Sequence, residues 1–383
     1  MRRLPLLLLL VLLPGPSVAH ADGCPLPCSG QSSSPSDSKL LFVQPVGPRG
    51  PLVVYDTRTR AAVYSLPAGI ASADGFGYFA VRPNHGNTRL NQYYAPTGLL
   101  INTWVQPGRW TLGGVSPQSR WVALTRQKAG TTKVRIFDVG RDAVAHVMNL
   151  SGNFEVETIS GDGKRLFLIQ HLGARRYKVR QYDLSHERLV ARPLRAAGVK
   201  LMAGYAWSGV ASPDGRWLLT LYLSTARNTA FVHSLNLRES KPACVNLPSG
   251  RGEFAKLKNY SLTLSPDSRT LFAANPTLGV VAEVDLIGSR VSKVTRFDRS
   301  SSRSRAPRAA TLSTISRNRR TLYFSAGRDL WAFDAAYGRV RGPYATRGDI
   351  VGVGYGARDR RIFAVREDGR MFAFDAATGA RMR

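Results

Sequence analysis

Apolar positions along this chain come in short runs, five to eight residues long, that recur between clusters of Ser, Pro, Asp, Asn and Gly. The runs at 39–43, 77–81, 120–125, 165–170, 216–223, 270–274, 321–325 and 361–365 are rich in leucine, aromatic and β-branched residues. That content at that length predicts strands packed between neighbouring sheets rather than helices. Ahead of each run stands a turn of the form Ser-x-Asp/Gln-x-Arg/Lys. It is clearest at Ser212-Pro213-Asp214-Gly215-Arg216 and Ser265-Pro266-Asp267-Ser268-Arg269, weaker from Ser116, Ser160 and Ser316, and degenerate near Ser36, at Ser72 and at Gly356. Pro presets φ in such a turn, and Asp with Gly or Ser tolerates the reversal that follows. Successive turns start 36, 44, 44, 52, 53, 51 and 40 residues apart. An interval of 40 to 50 residues with one turn and several short strands predicts a repeated four-stranded sheet.

The rest of each unit follows the same plan. A second run ends in Asp56, Asp138, Asp183, Asp285, Asp334 or Asp375, and two copies, ending Tyr94-Ala95 and Leu235-Asn236, lack the acid. Six aspartates at one repeat position invite a metal-binding reading. An Asp leaving a strand into a turn accepts backbone hydrogen bonds there, and this structural role is the one we expect. A third run follows, as at 62–66, 143–150 and 291–297, and a fourth precedes the next turn, as at 110–115, 155–159, 207–211, 260–264 and 311–315. The fold class expected is all-β, a β-propeller of eight four-stranded blades by direct count. Seven blades is the alternative if the incomplete first unit pairs with the last to close the ring.

The Ser-Pro-Asp-Gly turn and the strand ending in Asp resemble the blade marks of secreted bacterial β-propellers of the YVTN and WD40-like type, over residues 38–383. The last two units, residues 330–338 and 371–379, are also similar to the blade repeat of quinoprotein dehydrogenases and their non-catalytic relatives. The tryptophan of that pattern is replaced by Arg383 in one copy and by Pro343 or Tyr344 in the other, and no adjacent cysteine pair occurs. The resemblance therefore implies the repeat without a bound quinone, and no cofactor is expected. A propeller fold does not specify function.

The start of the chain differs from the rest. Arg2 and Arg3 precede an apolar run, Leu4 to Leu13, which stops at Pro14-Gly15-Pro16, and Ala19-His20-Ala21 offers small residues for cleavage. This predicts a signal peptide over 1–21, its apolar run about half the ~20 residues a spanning helix needs. Residues 22–37, rich in Pro, Ser and Gly, read as a flexible leader, and 38–383 as the propeller domain. No later stretch is apolar enough to span a membrane. The expected location is secreted or associated with the cell envelope. Cys24 is a candidate lipidation site in a loose lipoprotein-type box. Three cysteines leave open whether Cys28 pairs with Cys244, Cys24 pairs with Cys28, or Cys244 is a small buried residue.

Net charge is +29, and excess arginine is scattered along the whole chain. Such a field attracts polyanions without naming one. Its densest stretch is the Ser- and Arg-rich segment 298–308, where Arg299, Arg303, Arg305 and Arg308 form a candidate anion-contacting loop approached by Arg290, Lys293 and Arg296. Catalytic signatures are absent: there is no H-E-x-x-H, no G-x-S-x-G, no phosphate-cradling loop and no calcium loop. His85, His146, His171, His186 and His233 are dispersed. Trp110, Trp207 and Tyr260, in or beside innermost strands, either line a channel or pack between blades, and packing is the expectation. The function expected is a non-catalytic, monomeric scaffold that binds a protein partner or an anionic envelope polymer, without specific nucleic-acid recognition. An oxidoreductase or hydrolase with a site at the central channel is the alternative.

Overall fold

In the computed structural model the chain is described over residues 31–33, 39–44, 50–173, 176–196, 202–249, 254–298, 312–316, 320–356 and 361–382. Eight antiparallel sheets follow one another, each formed by a contiguous stretch of chain. The first blade comprises Gln31–Ser33, Leu40–Gln44, Leu52–Asp56 and Ala61–Leu66. The second comprises Ile70–Ala71, Gly77–Asn84, Asn87–Tyr94 and Leu99–Gln106. The third comprises Thr111–Val115, Trp121–Lys128, Thr131–Asp138 and Ala143–Ser151. The fourth has Asn153–Ile159, Arg165–His171, Arg176–Asp183 and Arg188–Leu189, with Met202–Ala203 added beside its third strand. The fifth has Tyr205–Ala211, Trp217–Ser224, Thr229–Asn236 and Lys241–Asn246. A single helical turn, Phe254–Leu257, precedes the sixth blade, Ser261–Leu264, Thr270–Asn275, Val280–Asp285 and Arg290–Arg296. The seventh is Leu312–Ile315, Thr321–Ala326, Asp329–Asp334 and Arg339–Ala345, and the eighth Ile350–Gly356, Arg361–Arg366, Met371–Asp375 and Arg381–Met382.

The blade count is eight, and the first sheet is completed by Gln31–Ser33, which pairs with Phe42, Val43 and Gln44. That strand lies within the segment expected to be a leader. It carries no apolar residue, and its backbone pairs antiparallel with the second strand. The ring thus closes without exchanging a strand between the two ends. Leu41, Val43 and Tyr55 of the first blade pack against Phe363, Val365, Met371 and Ala373 of the eighth. Comparable clusters fill the spaces between other neighbouring blades, as where Phe272 and Val281 meet Leu322, Phe324 and Phe333. Each fully buried large side chain contributes about 1.5–3 kcal/mol, which explains why both faces of the second and third strands are apolar.

The recurrent serine has a specific role. Its buried hydroxyl accepts the backbone N–H of the residue five positions on: Gly77 to Ser72 at 2.9 Å, Trp121 to Ser116 at 2.9 Å, Arg165 to Ser160 at 3.0 Å, Trp217 to Ser212 at 2.7 Å, Thr270 to Ser265 at 2.9 Å and Thr321 to Ser316 at 2.9 Å. The acid two residues after the serine accepts the N–H just before that one, as Asp214 does from Arg216 at 3.0 Å. The fourth turn position is left-handed, with φ 70° at Gly215 and 56° at Ser268, which explains the glycine preference. The aspartates that end third strands are turn acceptors too. Asp334 accepts from Ala336 and Tyr337, Asp375 from Ala377 and Thr378, and Asn236 substitutes by accepting from Arg238 and Glu239.

Candidate anion-binding face

Blades that meander from the innermost strand outward sort their connections by end. First-to-second and third-to-fourth turns lie at one face of the ring; second-to-third hairpins and blade-to-blade connections lie at the other. The repeat places its aspartates in the first set, so the first face carries acids by construction. The opposite face receives none from the motif.

This imbalance is greatest in the second and third blades. From Gly75 to Phe137, sixty-three residues include eight Lys or Arg and no Asp or Glu. Cross-strand register concentrates the excess further. Arg82 stands directly opposite Arg89 in the second blade, and Arg126 directly opposite Lys133 in the third. Both pairs sit two steps before the hairpin. Counted from the start of the second strand, the same position holds Gln170 with Lys178, Tyr222 with Phe231, Asn275 with Val280 and Ala326 with Asp329 in the fourth to seventh blades, and Arg366 beside Arg370 in the eighth. Like charges directly opposite in a sheet are destabilising. Arg82, Arg89, Arg109, Arg126, Lys128 and Lys133 are exposed, and none makes an ion pair with a described acid. In the eighth blade, by contrast, Asp368 answers Arg366 at 2.8 Å and Arg370 at 3.8 Å.

Beside these pairs the connection into the third blade supplies a rigid platform. Trp110 is buried among Ile70, Phe79, Leu90 and Leu124, and its Nε1–H donates to the Pro107 carbonyl at 2.8 Å. The guanidinium carbons of Arg126 and Arg135 lie 5.1 and 4.5 Å from its ring centre. Both fall within the range of cation–π attraction. Arg135 Nη1 donates to the Pro107 carbonyl at 3.4 Å, while its buried Nε has no acceptor. Burial, and next the charge of Arg126, lower the Arg135 pKa. The arrangement holds several donors and positive charges with no protein acid to receive them.

The residues singled out from sequence are placed as follows. Arg299, Arg303, Arg305 and Arg308 lie outside the described residues, as do Cys24 and Cys28. Cys244 lies on the outer strand of the fifth blade beside Tyr177 and Tyr222, and burial pushes its thiol up to about 11. Trp110, Trp207 and Tyr260 pack into or against interblade clusters, as expected. The histidines stay apart: His146 meets Glu187, His171 meets Glu155, both at 3.3 Å, and His186 meets Asp183 at 2.9 Å. Among the described residues no three His, Cys, Asp or Glu side chains are grouped to hold a metal, and no helix is long and apolar enough to cross a membrane.

Two other polar features lie elsewhere in the ring. A cleft of about 350 Å³ between turns of the third, fourth and fifth blades is lined by Gln118, Asp162, Arg165, Asp214 and Arg238. Its cations are engaged by the protein: Arg165 Nη1 donates to the carbonyls of Leu237 and Arg238 at 3.0 and 2.7 Å, and Arg238 Nη2 to that of Asp214 at 3.0 Å. These bonds tie turns together. The second feature is buried. Desolvation, with Glu155 nearby, pushes the Glu157 carboxyl up to about 8, and burial lowers His233 to about 4.

No family model matches the chain, and no curated protein does. Among solved structures it is similar to the Dos1 propeller, at 10% identity over 90% of this chain and 92% of that one, with a TM-score of 0.52. Dihydro-heme d1 dehydrogenase NirN in complex with DHE is similar at 16% identity, covering 86% of this chain and 68% of that one, TM-score 0.49. Hydrazine synthase of Kuenenia stuttgartiensis is similar at 14%, covering 82% and 95%, TM-score 0.46. At such identities the likeness shows the fold alone: the chain is an eight-bladed β-propeller.

Proposed function

We propose that this chain is an exported, non-catalytic β-propeller of the YVTN/WD40-like repeat type, which holds an anionic polymer at or outside the cell envelope. The observation that carries the reading is the pair of like-charge cross-strand partners, Arg82 with Arg89 and Arg126 with Lys133, at equivalent positions of consecutive blades within the acid-free stretch from Gly75 to Phe137. The like-charge pair of the eighth blade, Arg366 and Arg370, is answered by Asp368, whereas these two pairs make no ion pair with a described acid, so the cations repel each other across the sheet that carries them. An anion laid across both hairpins relieves the repulsion and releases its own counterions. The export signal read in residues 1–21 supports placing the ligand outside the cytoplasm, and the Arg299–Arg308 segment adds cations to the same chain.

The test is capture from native envelope extract by the immobilised mature chain at 50 and 500 mM salt. An anionic polymer should be retained at the lower concentration and released at the higher. Retention of nothing at low salt, or salt-independent retention, would sink the reading. Intact mass of the secreted chain checks cleavage after Ala21 and any lipid on Cys24.

A further inference from the structure

We infer that Arg126, Lys133 and Arg135 form a subsite for a single phosphate group carrying about two negative charges, walled by Trp110. The inference rests on the reading of the basic face given above and names the group that face receives.

Register places the three cations together. Arg126 pairs with Lys133, and Leu124 pairs with Arg135, so Arg135 stands one step along the same face of the sheet. The connection from the second blade then fixes two of the three. The Pro107 carbonyl accepts from both Trp110 Nε1 and Arg135 Nη1, which ties the indole and one guanidinium to the same point. Gly108 makes room for the other: a β-carbon there would sit 3.0 Å from Arg126 Nη1. Two guanidinium groups are therefore held at one ring before any ligand arrives, although they repel each other. Arg135 also keeps a buried Nε–H without an acceptor. The site is short of both negative charge and acceptor atoms.

The chemistry of that deficit selects among anions. A carboxylate brings one charge and two oxygens, which a single guanidinium fork satisfies. A phosphate monoester brings about 1.5 to 2 charges and three terminal oxygens, enough to engage an ammonium and two guanidinium groups from different directions. A polymer end group and a lipid headgroup present the same phosphate.

The test uses the full mature chain at low ionic strength and three probes: inorganic phosphate, acetate at matched ionic strength, and vesicles containing phosphatidic acid. Binding is read from tryptophan emission with the Trp110→Phe variant as the blank, and from protection of individual arginines against phenylglyoxal, mapped by mass spectrometry. Phosphate should bind at least tenfold more tightly than acetate and protect Arg126 and Arg135 selectively. Arg135→Lys, which keeps the charge and loses the fork, should cut phosphate affinity at least fivefold while capture of envelope polymer at 50 mM salt falls by less than twofold. The protection experiment needs only the wild-type chain, so a variant that misfolds leaves the inference testable. Vesicle binding without protection by free phosphate assigns the site to a membrane surface and overturns the inference, as does equal protection by acetate. If the polymer is captured but phosphate shows no preference, the subsite falls alone; if nothing anionic is captured, the function proposed above falls with it.

Discussion

Reversing one charge in the third blade should make the protein more stable and a poorer binder. Lys133→Glu converts the Arg126–Lys133 repulsion into an attraction and faces Arg135 one step along the same side. Directly opposed side chains have β-carbons about 5 Å apart. Two unit charges at that distance in water interact by about 0.8 kcal/mol. Removing a repulsion and gaining an attraction of that size gives about 1.6 kcal/mol at most. Both side chains are exposed and mobile, so the measured gain should be about 0.5–1 kcal/mol. Screening sharpens the test, because the Debye length falls from about 30 Å at 0.01 M salt to about 3 Å at 1 M. Urea unfolding of wild type and variant at 10 mM and 1 M salt should therefore show a gain at low salt that shrinks to a few tenths of a kcal/mol at high salt. Polyanion affinity of the variant should fall in parallel, with a shallower dependence on salt. A variant less stable than wild type at 10 mM salt, or a stability difference unmoved by salt, would refute the argument that these cations strain the sheet.

Three further outcomes follow from the geometry. Glu157 has a folded pKa near 8 against an ordinary 4.5, so its neutral form stabilises the fold fully below pH 4.5 and that contribution is lost as pH rises through 8. His233, near 4 when folded, contributes above its ordinary 6.5 and loses that contribution as pH falls through 4, so the two trends oppose each other between 4.5 and 6.5. Glu157→Gln should abolish the stability loss between pH 6.5 and 8, measured by thermal unfolding; an unchanged slope there would place the titrating group elsewhere. Ser212→Ala removes the side-chain acceptor of the buried Trp217 backbone N–H and should cost about 1–3 kcal/mol in urea unfolding. The outer strand Leu99–Gln106 carries no charge and exposes Leu99, Leu100, Ile101 and Val105 by 50% or more, whereas outer strands of the last four blades carry Lys241, Arg290, Arg339 and Arg381. Ile101→Lys should leave the unfolding free energy within about 0.5 kcal/mol and raise the concentration at which light scattering begins.

The fold was legible because the repeat writes itself in side chains: a serine that must accept an N–H, an acid that must close a turn and an apolar run between them. Gln31–Ser33 escaped because an innermost strand held by backbone pairing needs no apolar residue. The site escaped for a related reason. Sequence patterning ended the second strands at Val81 and Thr125, the last clearly apolar or β-branched positions, whereas the strands continue to Asn84 and Lys128. Those extra residues are where Arg82 meets Arg89 and Arg126 meets Lys133. Composition distributes charge along a line; only register reveals that two cations face each other across a hairpin. The absence of acids between Gly75 and Phe137 was the signal in plain view, and it gains meaning once the turn aspartates are assigned to the other face.

Closure without strand exchange has a consequence for how the molecule is made. A chain emerging from the ribosome can finish each sheet as soon as its own four strands have appeared, since no sheet borrows from a distant segment. Until the eighth is complete, however, the product is an open arc. Its first flank, Leu41, Val43 and Tyr55, stays bare until the eighth sheet forms, because Phe363, Val365, Met371 and Ala373 of that sheet cover it. A chain lacking the eighth blade would therefore expose apolar surface at both ends of the arc rather than be merely shorter, and the eighth sheet covers both flanks at once.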